Sequence, residues 1–253
     1  MGRILIILFS LTTFACIGQT SYSSSSVFAH NDYVGPDPFN ASYQLRVGYI
    51  EADIFLRDGE LFVAHDSIDI TAARTLEALY LAPLSNHVKQ NNGTAYPEPD
   101  KPLTLMIDLK TDGLTTLPVL VGKLEKYSNI ISCKNLYITI SGNVPDATKW
   151  KSYPEFITFD GRPTITYTTG QLQRVRLISA SFRDYSKWDG RGEISASDKE
   201  KITKVLDNAH ALGKPFRFWA TPDFDEAWTK LIELKVDVLN SDHPKELVEF
   251  LVK

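Results

Sequence analysis

Cysteine is scarce: the 253-residue chain holds two, Cys16 and Cys133. Cys16 closes an apolar N-terminal run, which leaves Cys133 as the single thiol of any folded domain, and one thiol cannot close an internal disulfide. No cysteine pair has zinc spacing, so any metal must be held by oxygen ligands. A basic cluster is also missing. Lys and Arg total 27 against 31 Asp and Glu, a formal net charge of -4. That balance excludes a nucleic-acid partner, because binding to a phosphate backbone rests on excess Lys and Arg. No second long apolar run follows the first, so no transmembrane span is expected in the mature form. There is no internal repeat, and nothing points to an obligate protein partner.

The first run is itself informative. Met1-Gly2-Arg3 precedes Ile4–Ile17, which has almost no polar side chains. One positive residue, a short apolar stretch and small residues after it describe a secretory signal. Residues 1–19 are therefore expected to be a signal peptide, cleaved near Gly18-Gln19 or lipoprotein-type at Cys16. The expected location is exported: periplasmic, secreted or lipid-anchored to the envelope. Residues 20–26, rich in serine, read as a flexible leader. Residues 27–253 remain, roughly 230, a length that one barrel domain commonly fills.

Within that span short apolar runs alternate with longer amphipathic ones. The predicted strands are Val27–Ala29, Tyr49–Phe55, Leu103–Leu109, Leu136–Ser141, Ile157–Phe159, Val175–Ser179, Phe216–Ala220 and Val238–Asn240. Eight strands separated mostly by helical patterns predict an α/β fold of the (β/α)8 TIM-barrel type. Leu61–Ala64 adds a hairpin strand after the Asp58-Gly59 turn. Ser197-Asp198-Lys199-Glu200 has the capping-box pattern, with Ile202, Val205, Leu206, Ala209 and Leu212 on one face and Gly213 as the stop. Asp223 and Glu226 are predicted to open the next helix, and Pro244 the last. The proline-rich stretch from Asn91 to Pro102 reads as a surface loop.

Chemistry concentrates at strand ends. Side chains alternate along a strand, so Glu51 and Asp53 share one face while Ile50, Ala52 and Ile54 share the other. In a barrel the apolar face packs on helices and both carboxylates enter the interior, where they need a cation. Asp108 and Lys110 repeat the pattern on Leu103–Leu109. Glu51, Asp53 and Asp108 are thus candidate ligands for one divalent cation, Mg2+ or Ca2+, with Lys110 free to hold a phosphate oxygen or balance charge. His30 and His65 each follow an apolar strand. Two imidazoles beside a metal site suit acid–base work, one taking a proton while the other gives one. His87, His210 and His243 lack such placement and read as structural.

The ordered set His30, Glu51-x-Asp53, Asp58-Gly59, His65-Asp66 and Asp108-x-Lys110 resembles the phospholipase-C-like and glycerophosphodiester phosphodiesterase superfamily. Within it the resemblance is closest to the family of altered inheritance of mitochondria protein 6. It extends through His30-Asn31-Asp32-Tyr33, Phe159-Asp160-Gly161-Arg162-Pro163, Arg217-Phe218-Trp219 and Asn240-Ser241-Asp242. It implies a phosphodiesterase barrel with Glu51, Asp53 and Asp108 on the metal, His30 and His65 as acid and base, and Lys110, Trp219, Asn31 and Asp32 around the substrate. The implied substrate is a small phosphodiester or lipid head group, such as a glycerophosphodiester. The chain departs from the ordinary pattern in three ways: His30 is followed by Asn-Asp, the third acid is Asp108 rather than Glu, and the insertion after the second histidine is short. Two alternatives stand beside hydrolysis: a non-catalytic phospho-ligand-binding barrel, and a sphingomyelinase-D-like lyase that forms a cyclic phosphate.

Overall fold

A computed structural model describes residues 22–253. The expected signal peptide and the lipoprotein-type Cys16 lie outside the described residues. Nine strands form one sheet: β1 (Val27–Ala29), β2 (Tyr49–Arg57), β3 (Glu60–Val63), β4 (Leu103–Leu109), β5 (Leu136–Gly142), β6 (Ile157–Gly161), β7 (Val175–Ser181), β8 (Phe216–Trp219) and β9 (Leu239–Ser241). Eight of them run parallel in the order β8-β7-β6-β5-β4-β2-β1-β9, and β3 folds back antiparallel on β2. The amide of Val238 donates to Phe216 O at 3.1 Å, and the Arg217–Val238 bridge brings β9 back to β8. The ring is nearly closed, and the fold is the expected (β/α)8 TIM barrel.

Every predicted strand forms, because its residues suit a sheet buried on both faces. Ile50, Ala52 and Ile54 join the core between strands and helices, whereas Phe28, Tyr49, Met106, Leu177 and Val238 form a second apolar cluster. Tyr49 and Met106 share faces with Glu51 and Asp108, so this smaller cluster is a plug inside the barrel, filling the end opposite the site. The register of β2 on β4 sets Asp53 opposite Asp108, and that of β4 on β5 sets Asp108 opposite Ser141.

Three local expectations need correction. The serine leader is partly folded: Ser24–Ser26 make a 3-10 turn held by Ser23, and Gly48 N donates to Ser24 O at 3.0 Å. Gly48 is required there, since a Cβ would stand 1.9 Å from Ser25 O. The helix Ala196–Ala211 begins two residues earlier than predicted, with Ser195, not Ser197, accepting from Asp198 N; the serine-and-acid pattern occurs in two overlapping registers. Its Ile202, Val205, Leu206 and Ala209 are buried as expected, but Leu212 at its end is exposed. Asp223 does not cap the helix Asp225–Glu233. Its carboxylate instead accepts from Trp228 Nε1, Ser241 Oγ and Asp242 N, tying the loop after β8 to β9. The stretch from Asn91 to Pro102 is a surface loop as expected, pinned at one point by Tyr96, which is fully buried and whose hydroxyl donates to Val47 O at 2.7 Å.

Gly142 ends β5 with φ +73, and a Cβ there would meet Asp108 Oδ1 and Leu109 O, each at 2.6 Å. Gly142→Ala is expected to destabilise the protein by about 1–3 kcal/mol through left-handed strain and backbone crowding. Gly122→Ala, on an open helix surface, should stabilise by about 0.5–1 kcal/mol. Chemical denaturation of both variants measures the pair.

Candidate active site

The C-terminal ends of the strands open on a cavity of about 200 Å³ lined by His30, Asn31, Glu51, Asp53, His65, Asp108, Lys110, Ser141, Arg162, Arg217 and Trp219. Both histidines, all three acids, Lys110, Asn31 and Trp219 are therefore brought together as expected. Asp32 is not. Its carboxylate accepts from Phe39 N at 2.6 Å, from Tyr80 Oη at 2.9 Å and from Ser42 Oγ, so it locks the turn after β1 and lies outside the lining. Asn31 has a left-handed backbone (φ 52), which turns the chain sharply and points its neighbour inward and Asp32 away. The three other histidines are structural: His87 stacks on Tyr43 at 3.9 Å, His210 pairs with Asp237, and His243 precedes the last helix.

Glu51, Asp53 and Asp108 each offer an oxygen within 4.8 Å of the others. Lys110 Nζ sits 2.8 Å from Asp53 Oδ2 and 3.0 Å from Asp108 Oδ1. Arg217 is nearly buried, stacked 3.9 Å above the Phe28 ring, with Nη1 4.0 Å from Glu51 and Nη2 3.6 Å from Asp160. Even so, burial holds the carboxyls of Glu51 and Asp53 above their usual range, outweighing the nearby cations. The buried Asp53 Oδ1 has no hydrogen-bond partner among the described residues. A buried carboxylate oxygen left without a donor is costly, and oxygen-only ligands suit a hard divalent ion. The residues present fit such a cation.

The imidazoles are held in matching ways. His30 Nδ1 lies 2.6 Å from Asp242 Oδ1, which fixes the proton on Nδ1 and turns Nε2 toward the pocket, 3.6 Å from Glu51. His65 Nδ1 lies 3.1 Å from the Tyr33 hydroxyl, itself 2.6 Å from Asp53 Oδ2. The phenol gives its proton to the carboxylate, the stronger acceptor. It then accepts from His65 Nδ1, leaving His65 Nε2 free. Burial lowers the His30 pKa, but the Asp242 hydrogen bond and the charges of Glu51 and Asp242 prevail and raise it. Asp242 is held low by the same bond to His30.

Residues 20–133 match the model of an AIM6-like phosphodiesterase domain, and residues 215–245 match that of the glycerophosphoryl diester phosphodiesterase family. The resemblance to the AIM6-like phosphodiesterases holds. The altered inheritance of mitochondria protein 6 homolog of Arthroderma benhamiae is 25% identical over 269 residues, covering 85% of this chain and 80% of that protein. A glycerophosphodiester phosphodiesterase from Parabacteroides distasonis has the same fold, with a TM-score of 0.58 over 91% of this chain and 98% of that one, at 13% identity. The AIM6-like match contains His30, Glu51, Asp53, His65, Asp108 and Lys110; the second contains Arg217, Trp219 and Asp242.

Sequence reasoning left roles unassigned for Tyr33, Asp160, Arg162, Arg217 and Asp242, although the motifs contained them. Alternation could have found two of these. Arg217 shares the inward face of β8 with Trp219, and Asp242 continues the inward series Val238 and Asn240.

Asp242→Asn in protein stripped of divalent cations should lower the His30 pKa, followed by NMR of the imidazole resonances. The folded value is raised above 6.5. The His30–Asp242 pair therefore stabilises fully below the unfolded pKa, and that contribution fades as pH rises through the folded value. The variant should flatten that part of the stability–pH curve. An unchanged His30 titration would show that Asp242 does not support the ring.

Proposed function

We propose that this chain is a divalent-cation-dependent phosphodiester hydrolase that cleaves a small phosphodiester by paired imidazole acid–base chemistry. The observation that carries this reading is one small cavity holding two imidazoles with free Nε2 atoms, a three-carboxylate cluster and Lys110. Glu51, Asp53 and Asp108 would hold Mg2+ or Ca2+, which when bound neutralises charge building on the non-bridging phosphate oxygens. Lys110 adds N–H donors to those oxygens. One imidazole, neutral at Nε2, takes the proton of the attacking hydroxyl; the other, protonated, gives one to the departing alkoxide. Tyr33 and Asp242 keep the two rings oriented through the exchange. Attack by water gives a monoester, and attack by a neighbouring substrate hydroxyl gives a cyclic phosphate first; the same two rings serve both. The apolar N-terminal run supports action outside the cytoplasm.

One observation favours a second reading. Lys110 already bridges Asp53 and Asp108, as it would in a barrel that binds a phosphorylated ligand without turning it over. Metal-stripped protein resupplied with Mg2+ or Ca2+, assayed by 31P NMR on bis(p-nitrophenyl) phosphate and glycerophosphodiesters, separates the two. Turnover should depend on the cation, and His30→Ala should lower it by about 10²–10⁴-fold while cation binding persists. Asp53→Asn should weaken cation binding itself, read by calorimetry. Tight cation binding with no turnover of any diester would assign the barrel to binding instead.

A further inference from the structure

Asp160 on β6, Arg162 just past its end and the neighbouring Ser141 take no part in the chemistry above. We infer that Arg162 is a substrate-binding residue, donating from Nη2 to a non-bridging oxygen of the diester phosphate, and that the buried Asp160 is the positioning residue that aims it. Arg162 then adds, within the phosphodiester reading on which this assignment rests, a phosphate contact on the β6 side of the cavity.

The first observation is how the guanidinium is held. Asp160 is buried and accepts from Arg162 Nη1 at 2.6 Å. The same nitrogen donates to Gly161 O at 3.1 Å and makes a long contact of 3.4 Å with Asp160 O. Nη2 has only a marginal contact of 3.5 Å with Ser141 Oγ. One edge of the fork is saturated and the other is unspent, and the side chain, 30% exposed, lines the cavity. A guanidinium is planar and rigid, so fixing Nη1 fixes where Nη2 points. The Trp219 ring, 5.1 Å from the guanidinium carbon, limits the remaining swing.

The second is that Asp160 has support without Arg162. Ser179 Oγ donates to its Oδ1 at 2.5 Å, Ser141 Oγ donates to Oδ2 at 3.2 Å, and Arg217 Nη2 stands 3.6 Å from Oδ2. Arg217 is itself buried and shared with Glu51. A cation on Glu51 would leave that arginine to Asp160. A second arginine that reaches past the carboxylate into the cavity exceeds what the carboxylate requires.

The third is place and charge. Register sets Ser141 on β5 beside Asp108 on β4, and Ser141 Oγ is the contact of the unspent Nη2. Adjacent strands lie about 5 Å apart, so this edge of Arg162 is about one phosphate width from the carboxylate cluster. Lys110 has three N–H groups and holds Asp53 and Asp108 with two of them, which leaves it one for substrate. A diester phosphate has two non-bridging oxygens. A cation on the acids can take one, and Arg162 Nη2 supplies a charge-assisted donor for the other.

Binding measured by calorimetry on the Ca2+-supplied His30→Ala/His65→Ala variant tests this, with bis(p-nitrophenyl) phosphate as the anionic probe and its uncharged methyl triester as the control. Arg162→Gln in that background should weaken diester binding by about tenfold or more, and leave triester and Ca2+ affinity unchanged. Asp160→Asn, which keeps the guanidinium but removes its anchor, should weaken the diester likewise. The double variant Asp160→Asn/Arg162→Gln separates binding from structural support. Its amide pair leaves no buried carboxylate short of a partner, so it should recover the melting temperature lost in Arg162→Gln without recovering diester affinity. It also carries the test if Arg162→Gln alone does not fold. Parent-like diester affinity in either Arg162 variant would show that Arg162 only balances Asp160, and overturns the inference. Equal weakening of diester and triester, or no diester binding by the parent, overturns it as well. Turnover by the wild-type background keeps the two readings apart. Cation-dependent turnover untouched by Arg162→Gln retains the hydrolase and removes Arg162 from the site. Arg162-dependent binding with no turnover of any diester retains Arg162 and defeats the hydrolase.

Discussion

Charge enclosed in a barrel has to be met by charge beside it, and that constraint organises this molecule. Glu51, Asp53, Asp160 and Arg217 are all at most 5% exposed. Leaving one such group without its partner costs about 3–5 kcal/mol, so none can be placed independently of the rest. Arg217 is the pivot. Its guanidinium lies on Phe28, the top of the apolar plug, and reaches toward Glu51 on one side and Asp160 on the other. The plug below excludes water, and the arginine above it converts a dry floor into a charged one. Lys110 does the same work at the rim between Asp53 and Asp108. With both cations in place, burial still keeps the Glu51 and Asp53 carboxyls above their usual range. Burial of the cluster and the donorless Asp53 Oδ1 are what make these residues fit a hard cation.

Most of the barrel was legible because its strands are covered on both faces and read as apolar runs, with inward polar residues at regular alternation near the strand ends. Glu51 and Asp53 could be placed inside from spacing alone, since Ile50, Ala52 and Ile54 had nowhere else to go but the core against the helices. What sequence could not supply was pairing across distance. Asp242 is 212 residues from His30 along the chain, and only the closing of the ring makes them neighbours. Tyr33 stood in a motif with no role assigned to it, and it is buried. Its role lies in the hydroxyl, whose partners come from β2 and from the turn after β3.

The misread positions share one cause: a polar residue at a turn has several possible local partners, and spacing does not choose among them. Asp32 follows two inward residues and looked like a third, but the left-handed turn at Asn31 directs it to the Phe39 amide and the Ser42 hydroxyl. Ser195 and Ser197 both precede an acid by three residues, and the helix takes the earlier one. Asp223 fits a helix start by pattern, yet the Asp242 amide, the Ser241 hydroxyl and the Trp228 indole give its carboxylate three donors at once. That is a better bargain for a carboxylate than a single helix amide.

Asp223 also shows why closure of the barrel and orientation of a reacting ring are one problem. The last strand has only three residues and carries Asp242 just beyond its end. A strand that short holds position poorly by itself. Two fixtures compensate: its pairing with β1, where Ser241 O accepts from His30 N at 3.0 Å, and the carboxylate of Asp223 gripping the Ser241 hydroxyl and the Asp242 amide. The same few bonds that seal the seam between the last strand and the first therefore set the distance from Asp242 to the His30 ring. Tyr33 gives His65 the equivalent support from within the first half of the chain, between the turn after β1 and the end of β2. One imidazole is thus held by local structure and the other by the completed ring, so a fully oriented pair exists only once the final strand has docked.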